Sequence, residues 1–233
     1  QYACETSLTF GVTHPDHERT FFSNQGHIVR LTRQDVLQQL PLTARQDDWV
    51  LLCGTFLCTA LFSDYPLLLA ELKQRGYQVA VDSGWPPQGW SDSLRQQIYP
   101  WLRYCDALLL NEVETCGIGD SDSLPTAAAR LLAMMPVNAR CVVKCGADGA
   151  HCWSGEQHWY QAAEALQVVD TIGAGDSFNA GYLSALIYGQ DAATALQWGI
   201  RVASAAISSS PRHYADWQTL FGCAQRAENQ ETK

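Results

Sequence analysis

From residue 33 to residue 188, segments with apolar side chains every third or fourth position alternate with short runs that are apolar at nearly every position. The first spacing predicts helices and the second predicts strands buried on both faces. Helices are expected over residues 34–40, 65–75, 91–104 and 123–134, the second stopped by Gly76 and the third capped by Ser91. Strands are expected over residues 49–54, 78–82, 106–110, 139–145 and 150–153, and again over 166–170, followed by a helix over 177–188. Residues 7–13 and 19–23 alternate apolar and polar positions around the turn-forming His14-Pro15-Asp16-His17, which predicts a hairpin. The expected fold class is therefore α/β. A mostly parallel, doubly wound sheet is flanked by helices, and a small β-hairpin precedes it.

Composition narrows the functional classes. The net charge of −9, with only 15 lysines and arginines, argues against nucleic acid as a partner. No run of about 18 apolar residues predicts a membrane span, and a cytoplasmic location is expected. The nine cysteines stand at no metal or redox spacing. Cys53, Cys105, Cys141, Cys145 and Cys152 are expected to be small buried hydrophobes in or beside strands. The six histidines show no metal-binding spacing, and the polar residues 224–233 are expected to fray.

The richest chemistry lies in Asp170-Thr171-Ile172-Gly173-Ala174-Gly175-Asp176-Ser177-Phe178. Gly173 and Gly175 are expected in the turn that opens the last helix, where glycine lets an anion approach the main chain and the helix amides favour negative charge. Asp176 is the informative residue. A carboxylate among amides that would cradle phosphate has a use if it removes the proton from an attacking alcohol. The alternatives are a simple helix cap or a dinucleotide-binding turn, and the second is disfavoured because Phe178 occupies the third glycine position.

Two further strand ends carry polar groups. Lys144-Cys145-Gly146-Ala147-Asp148-Gly149 is either a turn that lets backbone approach a flat ligand or a phosphate, or an ordinary hairpin turn. Asn111 and Glu114, three apart at the start of a helix, are suited to a hydrated Mg²⁺ or to capping the helix.

Together these three segments resemble the ribokinase-like, or PfkB, carbohydrate kinases, over essentially the whole chain. The resemblance implies an ATP-dependent phosphotransferase that acts on an alcohol of a sugar or sugar-like substrate. It makes Asp176 the base and the amides of Gly173, Ala174, Gly175 and Asp176 the anion hole. It places Lys144, Gly146 and Gly149 along the nucleotide. Asn111 and Glu114 would organise Mg²⁺ and phosphate through water, and Asp170 would lie beside a monovalent cation. Ser208-Ser209-Ser210-Pro211-Arg212 replaces the glycine-containing loop of many relatives at that cation site, which puts potassium dependence in question. Residues 1–30 would be part of a β lid and residues 31–233 the nucleotide-binding and catalytic domain, with homodimerisation through lid strands. Family members begin earlier, with a Gly-Gly motif and an aspartate that hold the sugar. The expectation is a chain incomplete at its N-terminal side, with weak or absent sugar kinase activity on its own. A nucleoside or vitamin-precursor kinase of the same fold, and a truncated, non-catalytic sugar or nucleotide sensor, are the alternatives.

Overall fold

The computed structural model describes residues 3–14, 19–164, 167–209, 211, 214 and 216–221. Strands β1 (Leu8–Thr13) and β2 (Arg19–Asn24) form an antiparallel pair with Phe10 opposite Phe22. Most of the turn between them, and residues 222–233, lie outside the described residues. Helix α1 (Arg33–Gln38) starts at a capping box in which Thr32 accepts from the Asp35 amide and Asp35 accepts from the Thr32 amide.

The main sheet has six strands in the order of the chain: β3 (Trp49–Cys53), β4 (Gln78–Asp82), β5 (Ala107–Asn111), β6 (Arg140–Lys144), β7 (Ala150–Ser154) and β8 (Gln157–Gln161). The pairs from β3 to β6 are parallel, and those from β6 to β8 are antiparallel. Between the parallel strands run α2 (Thr59–Phe62), α3 (Tyr65–Gln74), α4 (Asp92–Leu102), α5 (Glu112–Gly119) and α6 (Leu124–Leu132). After the sheet come α7 (Ala174–Ile187), α8 (Ala192–Ile207) and the short α9 (Trp217–Phe221).

Both faces of the sheet are covered at its centre, which explains why the middles of β4, β5 and β6 are apolar at every position. Val79, Val81, Leu108, Leu110, Cys141 and Val143 pack with Leu68, Leu72, Ile98 and Leu131 of α3, α4 and α6. The alternate residues Ala80, Ala107, Leu109 and Val142 pack with Phe178, Tyr182, Leu196 and Ile200 of α7 and α8. A period of two along each strand thus feeds two separate cores.

Two expectations need correction. Residues 167–170 form no strand, and Val168 and Val169 are half exposed. The amides of Val169 and Asp170 instead donate to Ile207 O at 2.9 and 3.2 Å, which ties the segment to the end of α8. Leu166, within the same expected strand, lies outside the described residues. Cys105, Cys141, Cys145 and Cys152 are buried as expected, but Cys53 is exposed at the end of β3.

Candidate active site

The parallel strands end in polar residues at one edge of the sheet. Asp82 closes β4, Asn111 closes β5 and Lys144 closes β6, with Asn111 in register with Lys144. Ligands of open α/β sheets bind at this edge. The first turn of α7 faces the same place. A cavity of about 770 Å³ brings together Asp82, Asn111, Glu114, Lys144, Gly146, Gly149 and residues 173–176. Every expected site residue except Asp170 therefore lines one space.

The helix opens differently from the expectation. Helix α7 starts at Ala174, with Gly173 as its N-cap in the left-handed region at φ 69°. Gly173 is needed for that conformation. Gly175 is not in the turn; it lies in the first helical turn, and the nearest neighbour of a Cβ added there would be Lys144 Nζ at 3.4 Å. Its missing side chain leaves the cavity face of the turn open.

The amide of Ala174 donates to Thr171 O at 3.2 Å, whereas those of Gly173, Gly175 and Asp176 have no partner among the described residues. Such first-turn donors, reinforced by the helix dipole, form an anion cradle. Ser177 fastens the cap by donating from both its amide and its hydroxyl to Gly173 O. Asp176 is solvent-exposed at the cavity wall, within electrostatic reach of Cys53.

Asn111 and Glu114 make a reciprocal capping box: Asn111 Oδ1 accepts from the Glu114 amide at 2.8 Å, and Glu114 Oε2 accepts from the Asn111 amide at 2.9 Å. The capping geometry is thus present, and both residues still line the cavity. Glu114 is buried, and burial pushes its carboxyl above the ordinary value; the Asn111 hydrogen bond opposes that shift. Among the described residues no three His, Cys, Asp or Glu side chains form a direct metal site. Glu114 and Asn111 fit a cation held largely by water and phosphate, since Glu114 keeps one carboxylate oxygen outside the capping box.

The 144–149 segment is both a tight hairpin turn and a cavity wall. Gly149 has φ 97°, and a Cβ there would fall 2.0 Å from Gln161 O, so its role is to let the chain pass β8 closely. Gly146, at φ 54°, would meet nothing within 4 Å and borders open space. Asp170 lies outside the cavity lining and accepts from the Ile172 amide at 3.0 Å in its own loop. Ser210 and Arg212, of the segment expected to border its cation, lie outside the described residues.

Two residues at this site were not foreseen from the sequence. Asp82 Oδ2 accepts from Lys144 Nζ at 2.7 Å and from Asn179 Nδ2 at 2.6 Å, and Asn179 Oδ1 accepts from Lys144 Nζ at 3.2 Å. Asn179 is fully buried on the second turn of α7. Asp82 carries a readable signal, a lone polar residue ending an apolar strand just as Asn111 and Lys144 do; Asn179 carries none.

A model of the pfkB family carbohydrate kinases matches residues 1–215. The chain belongs to this family. Among its curated relatives it is 30% identical over 128 residues to fructoselysine 6-kinase of Escherichia coli, an alignment covering 55% of this chain and 44% of that enzyme. It is 28% identical over 206 residues to 2-dehydro-3-deoxygluconokinase of Haemophilus influenzae, covering 82% of this chain and 63% of that protein. The match thus spans less than two thirds of each of these relatives.

Among solved structures, adenosine kinase from Sinorhizobium meliloti superposes with a TM-score of 0.72 at 20% identity, over 90% of this chain and 63% of that one. Fructokinase from Vibrio cholerae, in a form with fructose, ADP and calcium ion bound, gives 0.73 at 21% identity, over 90% and 69%. At these identities the structural likeness shows the ribokinase-like fold alone. No helix among the described residues is long and apolar enough to cross a membrane.

Proposed function

We propose that this pfkB-family protein transfers the γ-phosphoryl group of ATP to an alcohol of a sugar or sugar-like acceptor. The observation that carries this reading is the first turn of α7, where undonated amides of Gly173, Gly175 and Asp176 open into the same cavity as the Asp176 carboxylate. Phosphoryl transfer needs positioning and charge stabilisation more than covalent chemistry. The amides are placed to stabilise charge on the transferring group. Asp176 receives the proton of the acceptor hydroxyl as that oxygen attacks phosphorus.

Gly146 leaves the wall beside Lys144 open to the nucleotide, and the turn closed by Gly149 holds that wall. Asn111 and Glu114 would hold Mg²⁺ through water; when bound, the ion neutralises charge on the phosphates. Asp170 lies at the loop before the cradle, where it orders residues 170–172 and would border a monovalent cation. The β1–β2 pair is read as lid strands, which shield the reaction from water and offer a surface for a second copy. A sugar acceptor is favoured over a nucleoside because the named curated relatives are kinases of sugars or sugar derivatives.

The test is a coupled ADP-release screen of the complete reading frame that contains residues 1–233, over ketoses, aldoses, sugar acids, glycated amines and nucleosides. Release that depends on a sugar-type acceptor supports the reading. Nucleotide binding without transfer to any acceptor would identify a sensor instead.

A further inference from the structure

Among the described residues lining the cavity, Lys144 is the one cation, facing the carboxylates of Asp82, Glu114, Glu164 and Asp176. Its surroundings are specified closely. An ammonium has three N–H donors and no acceptor, and a carboxylate only accepts, so Asn179 can bridge the two in one orientation only. Lys144 gives one donor to Asp82 Oδ2 and one to Asn179 Oδ1, while the Asn179 amide donates to the same Asp82 oxygen. The third donor of Lys144 has no partner among the described residues. The ammonium lies 3.4 Å from where a Gly175 Cβ would be, beside the undonated amides of the first turn. Asn179 is one turn further along that helix, so α7 carries both the amide cradle and the group that fixes the ammonium next to it.

We infer that Asp82 and Asn179 are positioning residues that hold the Lys144 ammonium with its free N–H toward the outermost phosphoryl group of a bound nucleoside triphosphate. This rests on the kinase reading and deepens it. The cation contacts the group that moves, rather than the part of the nucleotide that stays. Asp82 has a second effect. It neutralises Lys144 in the resting protein, so the pocket does not hold a triphosphate too firmly in the ground state, while the fixed geometry keeps the ammonium where charge shifts during transfer. No bond to Lys144 forms at any stage.

The test combines binding with turnover in the complete protein. Calorimetry compares ADP with a β,γ-methylene ATP analogue in wild type, Lys144→Met, Asp82→Asn and the neutral double variant. The double variant removes both charges of the pair and serves as the folding control, because neutral replacements of an ion pair are tolerated where loss of one partner is not. Lys144→Met is expected to lose about tenfold of the preference for the triphosphate analogue and about 10²-fold in kcat.

Asp82→Asn is expected to bind the analogue more tightly, leave ADP affinity unchanged and lower kcat about tenfold, a split that general damage to the fold does not produce. In the double variant the Asp82 effect disappears, because Asp82 acts through Lys144. A Lys144→Met protein that keeps its triphosphate preference would overturn the inference, as would an Asp82 effect of the same size with and without Lys144. Absence of acceptor-dependent turnover in wild type would instead remove the kinase reading and leave the binding comparison as a separate result.

Discussion

Replacing Gly175 with alanine separates a glycine kept for chemistry from one kept for folding. Gly175 has helical backbone angles in the first turn of α7, and the nearest neighbour of an added methyl would be Lys144 Nζ at 3.4 Å, an ordinary contact. Nothing in the fold requires glycine there. Alanine should stabilise the protein by about 0.4–1 kcal/mol, because it restricts the unfolded chain and suits the helix. For a chain of this size that is a rise of about 1–4 °C in Tm. The same methyl would stand beside Lys144 Nζ on the cavity lining, and is expected to hold a phosphoryl group off the first-turn amides. Loss of one such donor costs about 10²–10³-fold in kcat. Thermal melting and steady-state turnover, measured on one preparation, should therefore move in opposite directions. A lower Tm would show that the glycine is structural after all, and an unchanged kcat would show that these amides do not meet the transferring group. Gly173 is the contrasting position, because its φ of 69° makes any side chain strained and would confound the two effects.

Glu114→Gln should keep the capping box, since glutamine also accepts from the Asn111 amide. Burial raises the Glu114 carboxyl above its unfolded value, so the folded state binds the extra proton and wild-type stability falls as pH rises from about 4.5 through the raised folded value. The glutamine variant should therefore melt higher than wild type at pH 7, with the gap closing toward pH 4; a constant gap in differential scanning calorimetry would refute the assignment. Its turnover should also need more Mg²⁺ to reach half its maximum. Gly149→Ala should lower stability by at least about 2 kcal/mol, because Gln161 O stands 2.0 Å from the new Cβ and is backbone that cannot step aside. Gly146→Ala, with φ of 54° but nothing within 4 Å, should cost about 1–2 kcal/mol, the strain of a left-handed residue alone. Equal urea midpoints for the two variants would contradict this account.

Much of the sheet is readable from the chain because β4 to β6 are buried on both faces, so their apolar runs stand out from the helical spacing around them. The site is readable where local and functional signals coincide. Asn111 and Glu114 carry a capping signature that also opens on the cavity, and Gly173 marks a turn that only glycine makes easily. Val168 and Val169 misled because adjacent β-branched residues suggest a strand; the amides of Val169 and Asp170 are instead held by Ile207 O at the end of α8, far along the chain. The strand Gln157–Gln161 escaped notice because it is mostly polar and aromatic at the sheet edge; the helix Ala192–Ile207 was missed although Ala192, Ala195, Leu196, Gly199 and Ile200 are buried at helical spacing. Asp82 is hydrogen-bonded to Lys144 and Asn179, 62 and 97 residues distant, a relation that no local pattern contains.

The most direct test of the central claim is Asp176→Asn in the complete protein, followed by ³¹P NMR of ATP with the preferred acceptor and by calorimetry of nucleotide binding. If Asp176 takes the acceptor proton, the variant binds nucleotide as wild type does, while formation of the acceptor's phosphate monoester slows by about 10²–10⁴-fold. Monoester formation at the wild-type rate would contradict the account.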